Sequence, residues 1–250
     1  MAGGNSPAEG FRKLALVTGG AVRVGRAITT RLAESGYDVV VNFHSSSRQA
    51  EVLAEELGRL GATAFLVQGD VSRPDDVARL ADQVGELGGR LDLLVNNASI
   101  FASGSLLELT EADWDQAMGV NLKGPFLTVN ALAGFLREAR GSVVNIVDLS
   151  AWQPWLGHPH HSVSKAGLLQ LTRVQARALA PEVRVNAIAP GAVLLPEGTS
   201  EEEKEMLIRR AALKRLGSPE DVADAVLYLA EAGFVTGEVI RVDGGRTLGT

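Results

Sequence analysis

Leu14-Ala15-Leu16-Val17-Thr18-Gly19-Gly20-Ala21-Val22-Arg23-Val24-Gly25 decides how the rest of the chain is read. The first four residues are apolar without interruption, as in a strand covered on both faces. A glycine-bearing turn follows. Beyond it, Ala27, Ile28, Leu32 and Ala33 recur at helical spacing over residues 26–35, until Gly36 stops the helix. Glycines let the backbone turn tightly and approach a pyrophosphate, and the following helix offers free N–H groups and partial positive charge. An ordinary strand–helix junction can carry the same glycines, so the turn needs its surroundings to be read.

The pattern repeats outward. Apolar runs at 39–43, 64–68, 91–96, 142–147, 183–188 and 239–242 read as strands. Amphipathic stretches at 50–60, 74–87, 162–179, 201–210 and 221–232 read as helices, and 110–140 as mostly helical with a bend at Gly124-Pro125. Strands apolar on both faces with helices between them predict an α/β fold: a single-domain, doubly wound parallel sheet of the Rossmann type, with helices on both faces. No repeat or linker divides the chain. Residues 1–10 read as a frayed, disordered tail and 11–250 as one dinucleotide-binding and catalytic domain.

Composition removes several function classes. There is no cysteine, which excludes disulfides, thiol catalysis and Cys-ligated metals, and a net charge of −6 argues against non-specific nucleic-acid binding. No apolar run approaches a membrane span, and the N-terminus lacks the basic and apolar regions of a signal peptide, so a cytoplasmic protein that binds neither membrane nor nucleic acid is expected. His158, His160 and His161 crowd together, but no complete metal-ligand set accompanies them, and His158 and His160 read as loop residues.

An NAD site expects an acid at the end of the second strand. Here Val41-Asn42-Phe43-His44-Ser45-Ser46-Ser47-Arg48 has none, and Arg23 is nearby in the turn. A cation and several hydroxyls suit a 2′-phosphate, so NADP(H) is the expected cofactor; a solvated polar loop is the alternative.

The motifs together resemble the short-chain dehydrogenase/reductase family over nearly the whole chain after the tail. Leu16-Val17-Thr18-Gly19 resembles its cofactor turn, which implies that Gly19, Arg23, Val24 and Gly25 touch the cofactor. Asp70-Val71 resembles the adenine-contacting pair, and Asn96-Asn97-Ala98 the family's Asn-Asn-Ala-Gly, with Ser99 in the last place. Asn121 in Val120-Asn121-Leu122-Lys123-Gly124 matches a catalytic Asn, and Lys165 the active-site Lys. Pro190-Gly191, Val235-Thr236-Gly237 and Val242-Asp243-Gly244-Gly245 match the C-terminal half. The resemblance implies cofactor contacts from His44, Ser45, Ser46, Asn97, Ala98, Ser99, Lys165, Pro190 and Gly191. Within the family, Arg23 in place of the middle glycine, Asn97-Ala98-Ser99-Ile100-Phe101, Asp148 and Gln153-Pro154 resemble pteridine reductases.

One position departs. The family signature is Tyr-x-x-x-Lys, but His161 stands four residues before Lys165, and Tyr37 and Tyr228, the only tyrosines, lie elsewhere. The expected catalytic set is therefore Asp148 as proton source, His161 as orienting or relaying group, Lys165, and Asn121 holding a water wire to Lys165. Imidazole titrates near neutrality, which suits acid–base work. The opposing reading is an NADP-binding protein with weak or lost catalysis, since a misplaced donor costs rate. Phe101, Trp152 and Trp155, with Leu194 at the start of the segment 194–210 that the resemblance implies is a substrate lid, are expected to hold a planar pterin-like or carbonyl/imine substrate. Glu201, Glu202, Glu203 and Glu205 read as a solvated helix face. A 3-oxoacyl or ketone reductase is the enzymatic alternative. By resemblance, the apolar faces of 110–140 and 162–179 pair in a homotetramer.

Overall fold

The computed structural model describes residues 12–196 and 198–248. The expected tail, residues 1–10, and the last two residues lie outside that range. Seven strands form one parallel sheet: β1 (Lys13–Val17), β2 (Tyr37–Phe43), β3 (Ala64–Gln68), β4 (Leu93–Asn96), β5 (Ser142–Ile146), β6 (Arg184–Pro190) and β7 (Val239–Val242), in the order β3-β2-β1-β4-β5-β6-β7. The order reverses between β1 and β4, which opens a crevice at the C-terminal ends of the strands.

The helices are α1 (Arg23–Glu34), α2 (Ser47–Arg59), α3 (Pro74–Glu86), α4 (Glu111–Met118), α5 (Gly124–Ala139), α6 (Pro159–Leu179), α7 (Glu201–Arg210) and α8 (Pro219–Glu231). Alternate strand residues serve opposite faces. Val39 and Val41 pack with Ile28, Leu32, Leu53, Leu57, Val226 and Leu229 of α1, α2 and α8. Val40, between them, packs on the other side with Leu80, Val84, Leu132, Leu136 and Leu179 of α3, α5 and α6. That two-sided demand is why Val39, Val40 and Val41 of β2 are apolar in succession.

Some expected boundaries move. The strand expected over 91–96 begins at Leu93, and several helices begin earlier than their apolar spacing suggests. Pro159 and Pro219 stand in the first turns of α6 and α8, where a missing N–H costs nothing. The stretch 110–140 is not one bent helix: a π-helical turn, Gly119–Lys123, separates α4 from α5. His160 is no loop residue. It lies in α6, is buried, and its Nδ1 has no hydrogen-bond partner.

Candidate active site

A cleft of about 1060 Å³ runs along the C-terminal ends of the strands. The β1–α1 turn brings Gly19, Arg23, Val24 and Gly25 to it, and the end of β2 brings His44, Ser45 and Ser46. Asp70 and Val71 follow β3; Asn97, Ala98, Ser99 and Phe101 follow β4. Asp148 and Trp155 follow β5, His161 and Lys165 come from α6, and Pro190, Gly191 and Leu194 follow β6. Residues spread over nearly 180 positions thus share one cavity.

The turn is tied down on three sides. Thr18 Oγ1 accepts from the backbone N–H groups of Asn97 and Ala98, each at 3.0 Å. Asn97 Nδ2 donates to the carbonyls of Thr18 (3.0 Å) and Gly19 (3.1 Å). Asn42 Nδ2 donates to Gly69 O at 3.0 Å, and Gly20 N donates to Asn42 O at 2.9 Å, which joins the turn to the ends of β2 and β3. A Cβ at Gly25 would stand 2.1 Å from Gly19 O and 2.6 Å from Asn97 Nδ2, so only glycine fits there. Arg23 adopts φ +54, a left-handed conformation that a non-glycine residue enters at a cost.

These residues fit a dinucleotide. α1 has no side-chain cap and no acid in its first turn, so its N–H groups are free to face a pyrophosphate. α2 begins beside Ser45 and Ser46, likewise with no side-chain cap and no acid in its first turn.

At the other end of the cleft, Asp148 Oδ2 bonds His161 Nε2. Asp148 Oδ1 accepts from Ser150 N at 2.7 Å and from the Ser150 hydroxyl. His161 Nδ1 lies 3.0 Å from Ile100 O. Asn121, carried by the π-helical turn, clamps Ile100: its Oδ1 accepts from Ile100 N at 2.8 Å, and its Nδ2 donates to Ile100 O at 3.0 Å and to Ser164 Oγ at 3.0 Å. Its two amide hydrogens are thereby used. His161 Nε2 thus faces a carboxylate, while Nδ1 lies between the Ile100 carbonyl and, at 3.4 Å, Asn121 Nδ2. The His161 side chain is 4% exposed and that of Asp148 16%, so Asp148 is the member of the pair that meets the cleft.

Burial pushes the Asp148 carboxyl up, but the bond and charge of His161, the charge of Lys165 and the Ser150 contact outweigh it. The carboxyl lies below its ordinary value. Burial pulls the Lys165 ammonium down to about 8, partly opposed by Asp148. Lys165 Nζ donates to Ile146 O at 2.8 Å and has further donors to give.

Aromatic rings line this end. Phe101 stacks on His158 with centroids 4.0 Å apart and meets Trp155 edge-on at 6.1 Å. The rings of Trp155 and His161 lie 16° from parallel. Trp152, expected on the substrate wall, is not among the residues lining the cleft; its ring sits under the Arg241 guanidinium, 4.8 Å from the centroid, because the short helix at Leu149–Ala151 turns it toward β7. Asn121 is fully buried behind the lining, its amide bonded to Ile100 and Ser164. Neither tyrosine reaches the cleft. Tyr37 is buried at the start of β2, its hydroxyl pushed up to about 12 by burial, and Tyr228 is exposed on α8.

The sequence reading missed His158 as part of the ring wall, although its place beside the other histidines could have pointed there. It placed Glu203, Met206 and Leu207, which line the cleft from α7, within the lid over 194–210 without singling them out, and missed Arg246 from the chain end. Glu203 is not merely solvated, because its carboxylate caps α7 by accepting from Ser200 N at 3.1 Å.

The family model described as "Enoyl-(Acyl carrier protein) reductase" matches residues 20–247. The chain is 35% identical over 241 residues to 3-oxoacyl-[acyl-carrier-protein] reductase FabG of Staphylococcus epidermidis, covering 94% of this chain and 99% of that one. It is 36% identical over 242 residues to (2S)-[(R)-hydroxy(phenyl)methyl]succinyl-CoA dehydrogenase subunit BbsD of Thauera aromatica, covering 94% and 97%. A solved structure described as a short-chain alcohol dehydrogenase from Sinorhizobium meliloti superposes with a TM-score of 0.89 at 30% identity, covering 95% and 97% of the two chains.

Proposed function

Since the chain belongs to the short-chain dehydrogenase/reductase family of oxidoreductases, we propose that it is an NADPH-dependent reductase acting on a planar, conjugated carbonyl or imine, with pterin-like rings the leading class. The observation that carries this reading is the Asp148–His161 pair, set beside Lys165 and walled by Phe101 and Trp155. A nicotinamide bound in the cleft would supply the hydride. The protein's own part is the proton and the geometry.

Asp148 faces the substrate and His161 stands behind it. As the substrate atom gains electron density, the proton held on His161 Nε2 passes to Asp148 Oδ2 and from that oxygen to the substrate, leaving the carboxylate ionised and the imidazole neutral. The pair acts as one acid in which the imidazole holds the proton that the low-lying carboxyl cannot keep. Ile100 O and Ser150 fix the two ends of the pair. The remaining donors of Lys165 suit ribose hydroxyls. Arg23, Ser45, Ser46 and the free N-terminus of α2 suit a 2′-phosphate. The rings of Phe101 and Trp155 suit a flat heterocycle, which stacks with little loss of freedom.

A second reading, 3-oxoacyl thioester reduction, is favoured by the relatives named for that activity. Both readings predict NADPH oxidation, and the substrate separates them. The wild-type chain is expected to oxidise NADPH with dihydrobiopterin faster than with acetoacetyl-CoA. His161→Phe and Asp148→Asn should each lower kcat about 10²–10⁴-fold while leaving NADPH affinity near its original value. A reversed substrate order selects the thioester reading. Tight NADPH binding with no turnover of pterins or ketones would instead make the chain a nucleotide-binding protein without catalysis.

A further inference from the structure

Arg246 enters the cleft from the last described turn, Arg246–Leu248, and no reading of the reductase chemistry uses it. Its position is built. Asp243 Oδ1 accepts from Gly245 N at 2.9 Å, while Oδ2 accepts from Thr247 N at 2.9 Å and Thr247 Oγ1 at 2.7 Å. Arg246 N in turn donates to Asp243 O at 3.2 Å. The Asp243 carboxylate, whose charge acts on the guanidinium, is therefore spent on folding the turn that presents it. Leu213 N donates to Gly244 O at 3.0 Å, which docks the same turn against the segment after α7.

Among the described residues, no side chain forms a hydrogen bond or an ion pair with the Arg246 guanidinium. Among the described residues, Glu203, another acid lining the cleft, is engaged in capping α7. The electrostatic neighbour that adds to the strain is a cation, Arg210 at the end of α7; it and burial both draw the Arg246 guanidinium below its ordinary value, against Asp243. The same cleft is also lined by Leu194, Met206 and Leu207. A half-buried cation beside a like charge and short of acceptors is an unfavourable arrangement in the free protein, and an incoming anion relieves it.

The place separates this group from the cofactor turn. Arg246 follows β7 at one edge of the sheet, whereas the glycine turn follows β1, four strands away in the sheet order. We propose that Arg246 is a subsite for an anionic group on the substrate, a carboxylate or phosphate remote from the bond being reduced. The inference rests on the reductase reading and narrows it: a pterin would carry a carboxylate-bearing tail, and a thioester would carry its charge on a phosphorylated carrier.

Two matched pairs test it. Dihydrofolate and dihydrobiopterin share a ring but only the first carries carboxylates; acetoacetyl-CoA and ethyl acetoacetate share a ketone but only the first carries phosphates. In Arg246→Gln, the ratio of kcat/KM for the anionic over the neutral member is expected to fall about 10-fold, chiefly through KM, for the pair the enzyme uses. Arg246→Lys should keep most of the preference because the charge remains. Calorimetry with folate, coenzyme A and biopterin on NADP⁺-loaded protein supplies a reading that needs no turnover. If none of the four substrates is reduced but Arg246→Gln still weakens folate or coenzyme A relative to biopterin, the reductase reading fails and the subsite stands. An equal loss for neutral and anionic compounds, an equal loss of NADPH affinity, or no tighter binding of either anionic ligand by the wild type than by Arg246→Gln overturns the subsite.

Discussion

Burial of Lys165 opposes the charge that its neighbour Asp148 favours, and burial wins: the ammonium is drawn from an ordinary 10.5 down to about 8. Between those values the unfolded chain holds a proton that the folded chain has released. The energetic cost of the buried charge is therefore full below about pH 8 and vanishes as pH rises to about 10.5. Lys165→Met should accordingly be as stable as the wild type or more so at pH 7, by about 1–2 kcal/mol, with the difference shrinking toward pH 10 in urea melts, while turnover is lost. Asp148 has the opposite sign. Its carboxyl is held low, so the stability it contributes is present at neutral pH and fades as the solution becomes strongly acidic. Residues 148, 161 and 165 were legible in the sequence through their resemblance to the family's motifs, and the strand end and helix face of this topology bring them together. The acceptor at His161 Nδ1 was not, because Ile100 offers a backbone carbonyl, which no side-chain pattern announces.

The β1–α1 turn and the π-helical turn each depend on a close backbone approach. Gly25→Ala would force a carbon to within 2.1 Å of Gly19 O, and neither neighbour is a free side-chain end. A loss of about 1–3 kcal/mol in chemical denaturation is expected, with NADPH affinity reduced far more than by a surface substitution. The glycine pattern made this element readable in advance. The π-helical turn was hidden, since its residues continue the apolar spacing of the flanking helices, and one extra residue per turn leaves no mark on composition. What selects it is tertiary: Asn121 must reach the backbone of Ile100 from behind the cleft lining. A buried polar ladder adds to the same region. Thr128 Oγ1 donates to Asn96 Oδ1 at 2.7 Å, Asn96 Nδ2 to Asn145 Oδ1 at 2.8 Å, and Asn145 Nδ2 to Thr172 Oγ1 at 3.0 Å, which fixes α5 and α6 to β4 and β5.

At the scale of the whole molecule, the sheet buries both faces but leaves large apolar side chains outside. Phe126 on α5 is 47% exposed, and Val163 and Val174 on α6 are 49% and 54% exposed. The expected homotetramer would cover these helices. Sedimentation should then give a tetramer mass for the wild type and a smaller species for Phe126→Glu, while a wild-type monomer would remove the expectation. Among the described residues no helix is long and apolar enough to cross a membrane.

The order of strands and helices, the two-sided core and the position of the nucleotide turn followed from the sequence alone, because periodicity and glycine placement are local and the handedness of parallel crossovers is nearly fixed. Which side chains meet was decided only by the tertiary structure. Trp152 turned away to Arg241, His158 joined Phe101, and Arg246 arrived from the chain end. Loops between β-strand ends are free to aim their side chains in many directions, and only the packed sheet and helices choose among them.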